Sequence, residues 1–274
     1  MLKLDIFFKE LILFAGALSL GIFTAYSYSF LVDVGDIQPV SFSWRNMLIY
    51  LGVFLAVSFI LFRFKSIARW MFRFFLVLVV FSGSQVVFGI FMSAGWALIS
   101  SLAMTAVFMF FRNVLVHNLG IILGVAGISS ILGISISPQA GVTILVVLSF
   151  YDIIAVYATR HMVHMARGMV ESGAIFGFVI PFDFKDFLAH QSTAREKIGE
   201  RFMILGSGDI GLPIIMVSSL APISIRASII TGAFALTGVF LTHLIFINQS
   251  QKRAMAALPP IATMTIIGYL VSLI

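Results

Sequence analysis

Nine stretches of about 16 to 23 mostly apolar residues follow one another along the chain, and a backbone with that pattern satisfies its polar groups as helices crossing a bilayer. The spans are predicted over Leu11–Val32, Met47–Phe64, Phe74–Met92, Trp96–Phe111, Leu119–Ser137, Gln139–Thr159, Phe202–Ile223, Ile225–Ile247 and Met255–Ile274. With 61% hydrophobic and 10% charged residues in 274, the fold class is all-α and polytopic, with nine transmembrane helices. One membrane domain is expected over 1–274: helices 1–6 through residue 167, a loop over 168–201, and helices 7–9 from 202. The first span is too long for a signal-peptide core and reads as a retained helix.

Nine crossings put the termini on opposite sides, and the basic residues say which side is which. Lys3, Lys9, Arg63, Lys65, Arg69, Arg73, Arg112, Arg160, Arg167, Lys185, Arg195, Lys197, Arg201, Lys252 and Arg253 fall on the N-terminal side, against Arg45 and Arg226 on the other. That bias places the N-terminus in the cytoplasm and the C-terminus outside. Trp44, Trp70 and Trp96 fall at predicted span ends, as an interfacial aromatic belt requires. The net charge of +6 sits beside apolar segments, so the basic residues face the bilayer surface and no nucleic-acid partner is expected.

Two acids lie inside these spans: Asp152, in Ser149-Phe150-Tyr151-Asp152-Ile153, and Asp209, in Leu205-Gly206-Ser207-Gly208-Asp209-Ile210-Gly211-Leu212-Pro213. An ionised Asp at a helix centre costs about 2.5–3.5 kcal/mol, and no Lys or Arg stands at that depth to offset it, which marks both as functional. Asp152 precedes Arg160 by eight residues and Asp209 follows Arg201 by eight, so each is expected about 12 Å in from the cytoplasmic face. Equal depth lets them face one another.

Two carboxyl groups about 3 Å apart share a proton and titrate as a coupled pair. That state suits hydrolysis: one carboxylate takes a proton from water while its protonated partner donates to the scissile carbonyl oxygen. The same pair also suits a proton or cation path in an ion-coupled transporter, and a third reading is a non-catalytic membrane chaperone or scaffold. Gly206 and Gly208 beside Asp209 permit close backbone approach, and Pro213 removes a helical hydrogen bond. At the head of the last span, Ala256-Ala257-Leu258-Pro259-Pro260 leaves carbonyls without helical partners.

Tyr151-Asp152 in one helix, Gly206-x-Gly208-Asp209 in the next and Ala257-Leu258-Pro259 before a ninth together resemble the three signatures of the presenilin and signal peptide peptidase family. The resemblance covers essentially the whole chain. It implies an intramembrane aspartyl protease that cuts transmembrane-helix polypeptides, with Asp152 and Asp209 catalytic and Tyr151, Gly206, Ser207, Gly208, Ala257, Leu258 and Pro259 shaping the site. Tyr-Asp-Ile-Ile-Ala-Val around Asp152 is similar to presenilins, and Pro213 to the peptidase branch; the mixture implies a microbial, archaeal-type member in the plasma membrane of a prokaryote. Two positions depart from the family pattern: Ala256 stands where the family has Pro, and Ser207 where it has an apolar residue. The resemblance names neither accessory subunits nor an oligomeric state.

No metal or other cofactor is expected. The chain has no cysteine and no His-Glu-x-x-His, and His161 and His164 lie in a basic cytoplasmic run. His243 is taken as the one histidine inside a span and reads as a polar packing residue; Gln85 reads the same way. Within the long loop, Ala174–Pro181 is apolar and β-prone, and two readings stay open: an interfacial or re-entrant segment, or a strand that pairs with an incoming peptide. Because an intact helix hides its carbonyls in internal hydrogen bonds, an unwound substrate is expected to pair with backbone near Arg201 to Leu205.

Overall fold

A chain this apolar builds its core from helix faces. The computed structural model describes residues 4–31, 65–159, 173–248 and 255–274, with 45, 48, 49, 52, 53, 168 and 170 described singly. In chain order the elements are α1 (Leu4–Leu31), α2 (Lys65–Phe91), α3 (Ala94–Phe110), α4 (Val114–Ile134), α5 (Pro138–Ile153) running into a π-turn (Ile154–Ala158), β1 (Gly177–Pro181), a 3-10 turn (Phe184–Leu188), α6 (Gln191–Glu196), β2 (Phe202–Gly206), α7 (Ser207–Leu220), α8 (Ile225–Ile247) and α9 (Leu258–Ser272). Eight of the predicted spans correspond to these helices. The ninth, Met47–Phe64, lies outside the described residues, as do Trp44 and His161 to His164.

Local chemistry sets the helix ends. Asn113 caps α4 by accepting the Val116 N–H at 2.8 Å. Ser137 caps α5 by accepting the Ala140 N–H at 3.2 Å, with Pro138 in the first helical turn, where its missing N–H costs nothing. α1 begins at Leu4, seven residues before the predicted span, because Asp5 suits the positive end of a helix. α4 lies at the centre, packed against α1, α2 and α7, and its Val114, Ile121 and Val125 are buried. Trp70 and Trp96 instead project outward, 71% and 65% exposed, as interfacial anchors do.

The predicted span Phe202–Ile223 is corrected. Its first five residues are strand β2, paired antiparallel with β1 in the register Gly177↔Gly206 to Pro181↔Phe202, and the helix starts only at Ser207. Backbone pairing with β1 overrides an apolar run that is ambiguous between helix and strand, and Gly206 and Gly208 are poor helix formers. The β-prone loop segment is thus a strand, but its partner is the chain's own β2. Gly177 has φ +153°, and an added Cβ would meet the Leu205 carbonyl, so this crossing of the two strands requires glycine.

α7 and α9 have 14 and 15 residues, about 21 and 22 Å of helix against about 30 Å of hydrocarbon. Non-helical backbone precedes each of them, β2 before α7 and Met255–Ala257 before α9. Such backbone is tolerated at depth only where protein or water satisfies it. Both interruptions lie next to residues singled out by sequence.

Candidate active site

Asp152 is the penultimate residue of α5 and is only 4% exposed. Its Oδ2 accepts the backbone N–H of Leu258 at 3.3 Å. Leu258 is the first residue of α9, with Pro259 and Pro260 next, so its N–H is one that the helix itself leaves unpaired. The first and third sequence motifs are thereby joined, 106 residues apart. Thr242 Oγ1 on α8, which donates to Gly238 at 2.9 Å, lies 3.4 Å from the Ala257 carbonyl and braces that turn.

Asp209 is the third residue of α7, half-buried, with Gly206 as its N-cap residue. An acid at this position can reach back toward the N-cap amide, and the Gly206 backbone lies close enough to act on the Asp209 carboxylate. A Cβ at Gly206 would stand 3.1 Å from Asp209 Oδ2. Asp209 is therefore not eight helical residues deep from Arg201, because five residues of strand intervene and helical rise does not measure its depth. Asp152 and Asp209 nonetheless lie within electrostatic range of each other, and α5, α7 and α9 pack through Leu145, Met216, Leu220, Leu258 and Ala262.

The remaining predicted residues divide. Tyr151 is half-buried within electrostatic range of Asp152. The Ser207 amide donates to the Phe176 carbonyl at 3.0 Å, so its backbone ties α7 to the sheet. Gly208 is exposed, with open space where a Cβ would go. Pro259 sits in the first turn of α9.

A match to the family described as signal-peptide peptidase, presenilin aspartyl protease covers residues 35–274. The chain belongs to this family of aspartyl proteases. Its fold is similar to that of a presenilin family intramembrane aspartate protease solved in two crystal forms. One, in space group C222, has a TM-score of 0.64 at 22% identity, covering 100% of this chain and 99% of that one. The other, in P2, has a TM-score of 0.62 at 23% identity, covering 95% and 96%. A comparison with curated proteins returns no match. As a member of the presenilin and signal-peptide peptidase family, this is a multi-pass membrane protein and an intramembrane aspartic endopeptidase.

Four residues that the sequence reading left outside the spans are buried within helices of the protease. His117 and Asn118 belong to α4, whose predicted start at Leu119 had excluded them, so His243 is not the one histidine inside a span. Asn118 accepts the Val179 N–H and donates to the Val179 carbonyl, both at 2.8 Å, and His117 Nε2 lies 3.0 Å from the Gly177 carbonyl. Lys9 and Glu10, placed before the first span, are interior to α1 and each 2% exposed. Lys9 Nζ donates to Asp5 at 3.0 Å and to the Phe182 carbonyl at 2.6 Å, and so serves the sheet rather than the acids. A visible signal for Glu10 is its spacing: residues 6, 10, 14 and 17 share one helix face, and Ile6, Phe14 and Ala17 are all core.

Proposed function

We propose that Asp152 and Asp209 are the catalytic pair of this intramembrane protease. One carboxylate removes a proton from a bound water as the water oxygen attacks the scissile carbonyl carbon. The other, protonated, donates to the carbonyl oxygen, and the proton taken from water passes to the leaving amine when the C–N bond breaks. The observation that carries the assignment is the Leu258 N–H on Asp152, since it brings the third motif onto the first acid while Asp209 stands within electrostatic range. Incubating the purified protein with a labelled single-span substrate tests it: Asp152→Ala and Asp209→Ala should each slow cleavage by about 10²-fold or more, and cleavage by either variant at the wild-type rate would refute it. Tyr151, Gly206, Ser207, Gly208, Ala257, Leu258 and Pro259 shape the site on this reading.

The substrates are transmembrane helices that unwind locally to expose a peptide carbonyl. We infer that the unwound segment pairs with the outer edge of β2. In this register the Phe182 N–H donates to the Arg201 carbonyl and the Ser207 N–H to the Phe176 carbonyl, so Val179 and Ile204, one step out of phase, direct their backbone groups away from the partner strand. At Val179 those groups are taken by Asn118, and Pro181 has no N–H, which closes the β1 edge. On β2 the Phe202 N–H donates to Lys197 at 3.3 Å and its carbonyl accepts the Gly199 N–H at 2.8 Å. Ile204 is left, five residues before Asp209, with an N–H and carbonyl that no described residue occupies. Ile204→Pro deletes that outward N–H without touching the β1 ladder; undiminished cleavage by this variant would remove the inference.

The basic residues support a cytoplasmic N-terminus and an extracytoplasmic C-terminus, and the mixed presenilin-like and peptidase-like motifs support the plasma membrane of a prokaryote. Protease protection of tags at the two termini would test the orientation.

A further inference from the structure

β1 is buried along its whole length, so its backbone polar groups need partners within the protein. Pairing with β2 uses every second residue and directs the groups of Gly177, Val179 and Pro181 to the other side. Where a strand of a larger sheet would meet a third strand, β1 meets side chains from two helices. Asn118 of α4 accepts the Val179 N–H and donates to its carbonyl, both at 2.8 Å, the two bonds that a neighbouring strand residue would make; a primary amide offers that donor and acceptor side by side. His117 Nε2 lies 3.0 Å from the Gly177 carbonyl. At the far end, Lys9 of α1 donates to the Phe182 carbonyl at 2.6 Å, because the Arg201 N–H that would meet it in the ladder goes to Lys197 instead.

The helix that holds β1 also holds the turn of Asp209. Asn118, Ile121, Val125 and Ser129 follow one another at spacings of three, four and four, which puts them on one face of α4. A Cβ on Gly211, two residues after Asp209, would come within 2.9 Å of Ser129 Oγ and 3.3 Å of a Val125 methyl, so α4 and α7 touch there with no room between them. One face of α4 thus grips the chain on both sides of Asp209: through β1 it holds Ile204, five residues before the acid, and by direct packing it holds Gly211 after it. The two grips are about 10 to 16 Å apart along the helix at about 1.5 Å per residue. Between them the chain passes from strand to helix at Gly206, and the Ser207 amide ties that junction back to Phe176 at 3.0 Å.

We propose that Asn118, seconded by His117, is a positioning residue: it fastens the sheet to the helix on which the Asp209 turn is packed, and so selects which peptide bond of a strand paired at Ile204 lies at the acids. The inference deepens, and rests on, the reading that an unwound substrate pairs with the outer edge of β2. With the fastening intact, α4 sets the offset between Ile204 and Asp209. Without it, β1 and β2 can shift together about the Gly206 junction and carry the paired substrate with them, which brings neighbouring peptide bonds to the acids. The outward N–H and carbonyl of Ile204 are untouched by such a shift, so the substrate is still held while the rate and the bond that is cut both change.

The experiment is cleavage of the labelled single-span substrate by the full-length protein, with kcat, KM and the masses of the products measured for Asn118→Leu, His117→Leu and His117→Gln. Leu at 118 keeps the volume and deletes both bonds to Val179. Its kcat should fall about 10-fold or more with KM nearly unchanged, and product masses should show cuts at bonds next to the wild-type one. His117→Leu, which loses one bond, should show the same change more weakly, and His117→Gln, whose amide can reach the Gly177 carbonyl, should recover most of the rate and the wild-type cut. Wild-type product masses and kcat from folded Asn118→Leu, even with a lower unfolding temperature, would reduce the amide to a partner for a buried strand and overturn the proposal. Should Asn118→Leu not fold, the two His117 variants decide: added cuts in His117→Leu that are absent from His117→Gln support the proposal, and identical product sets overturn it. Undiminished cleavage by Ile204→Pro would instead remove the pairing itself, so a slow Ile204→Pro beside an unaltered Asn118→Leu strikes the positioning role alone.

Discussion

Asp152 closes a helix and Asp209 opens one, and the two are held by different means. Asp152 is nearly inaccessible and is bonded by a backbone N–H from a helix 106 residues away. Asp209 is half-buried and sits against the Gly206 backbone of its own first turn, beside the exposed Gly208. An acid positioned by its own turn needs its helpers next to it in sequence, which is why Gly-x-Gly-Asp is contiguous. An acid positioned across the bundle needs a distant partner, so its motif is divided between Tyr151-Asp152 and Ala257-Leu258-Pro259. Damage to either side should therefore come from different parts of the chain.

The largest effects erase the difference between the two acids. Asp152→Ala and Asp209→Ala should each lower kcat by about 10²–10⁴-fold or more, and the double variant should be no worse than either single one, because the pair acts as a unit. Roughly additive losses, measured with the single-span substrate, would mean that the acids work independently. Asn at either position should inactivate as well, since the proton shared with the partner is lost.

Next come changes that touch one acid only. Leu258→Pro deletes the N–H on Asp152 at a first-turn position, and also forces Ala257, which has ψ −28°, out of the α region. Hydrogen bonds to charged groups contribute about 1.5–3 kcal/mol, so kcat should fall about 10- to 100-fold, with the loss of the buried Leu side chain appearing in the unfolding temperature. On the other side, Gly177→Ala forces a Cβ into the Leu205 carbonyl at a φ that L-residues rarely adopt. The strand leading into Asp209 should shift, and cleavage should fall while the α9 turn on Asp152 is untouched. Amide exchange at Leu258 separates the two cases: it should quicken relative to wild type only if Gly177→Ala also disturbs Asp152.

Eight of the nine spans were legible from hydropathy, one of them with its start misplaced, both acids stood out by the rarity of charge at depth, and the three motifs carried the family. What escaped notice lies at the margins of the spans. Hydropathy trims a helix at its first polar residue, so Lys9, Glu10, His117 and Asn118 read as flanks, although Glu10 continues the stripe of Ile6, Phe14 and Ala17. A side chain that pairs across the bundle looks, in one dimension, like the end of a span. The β2 strand escaped for another reason: Phe-Met-Ile-Leu-Gly fits helix and strand alike, and only its pairing with Gly177–Pro181 decides between them. The depth assigned to Asp209 inherited that ambiguity.

The smallest effects compare two glycines two residues apart. Gly206 has ordinary helical-entry backbone, φ −64°, so Ala is sterically allowed there in conformation. Its Cβ, however, would crowd Asp209 Oδ2 at 3.1 Å, and the carboxylate must yield by a few tenths of an ångström. A displacement of about 1 Å costs about 10²-fold, so Gly206→Ala should lose about 3- to 10-fold in kcat with little change in unfolding temperature. Gly208→Ala meets nothing within 4 Å and replaces glycine inside a helix. It should stabilise the fold by about 0.5–1 kcal/mol and leave kcat near wild type. Equal losses from both substitutions would mean that the motif acts through backbone freedom at both glycines, and the view that Gly206 serves Asp209 by leaving room for its carboxylate would then fail.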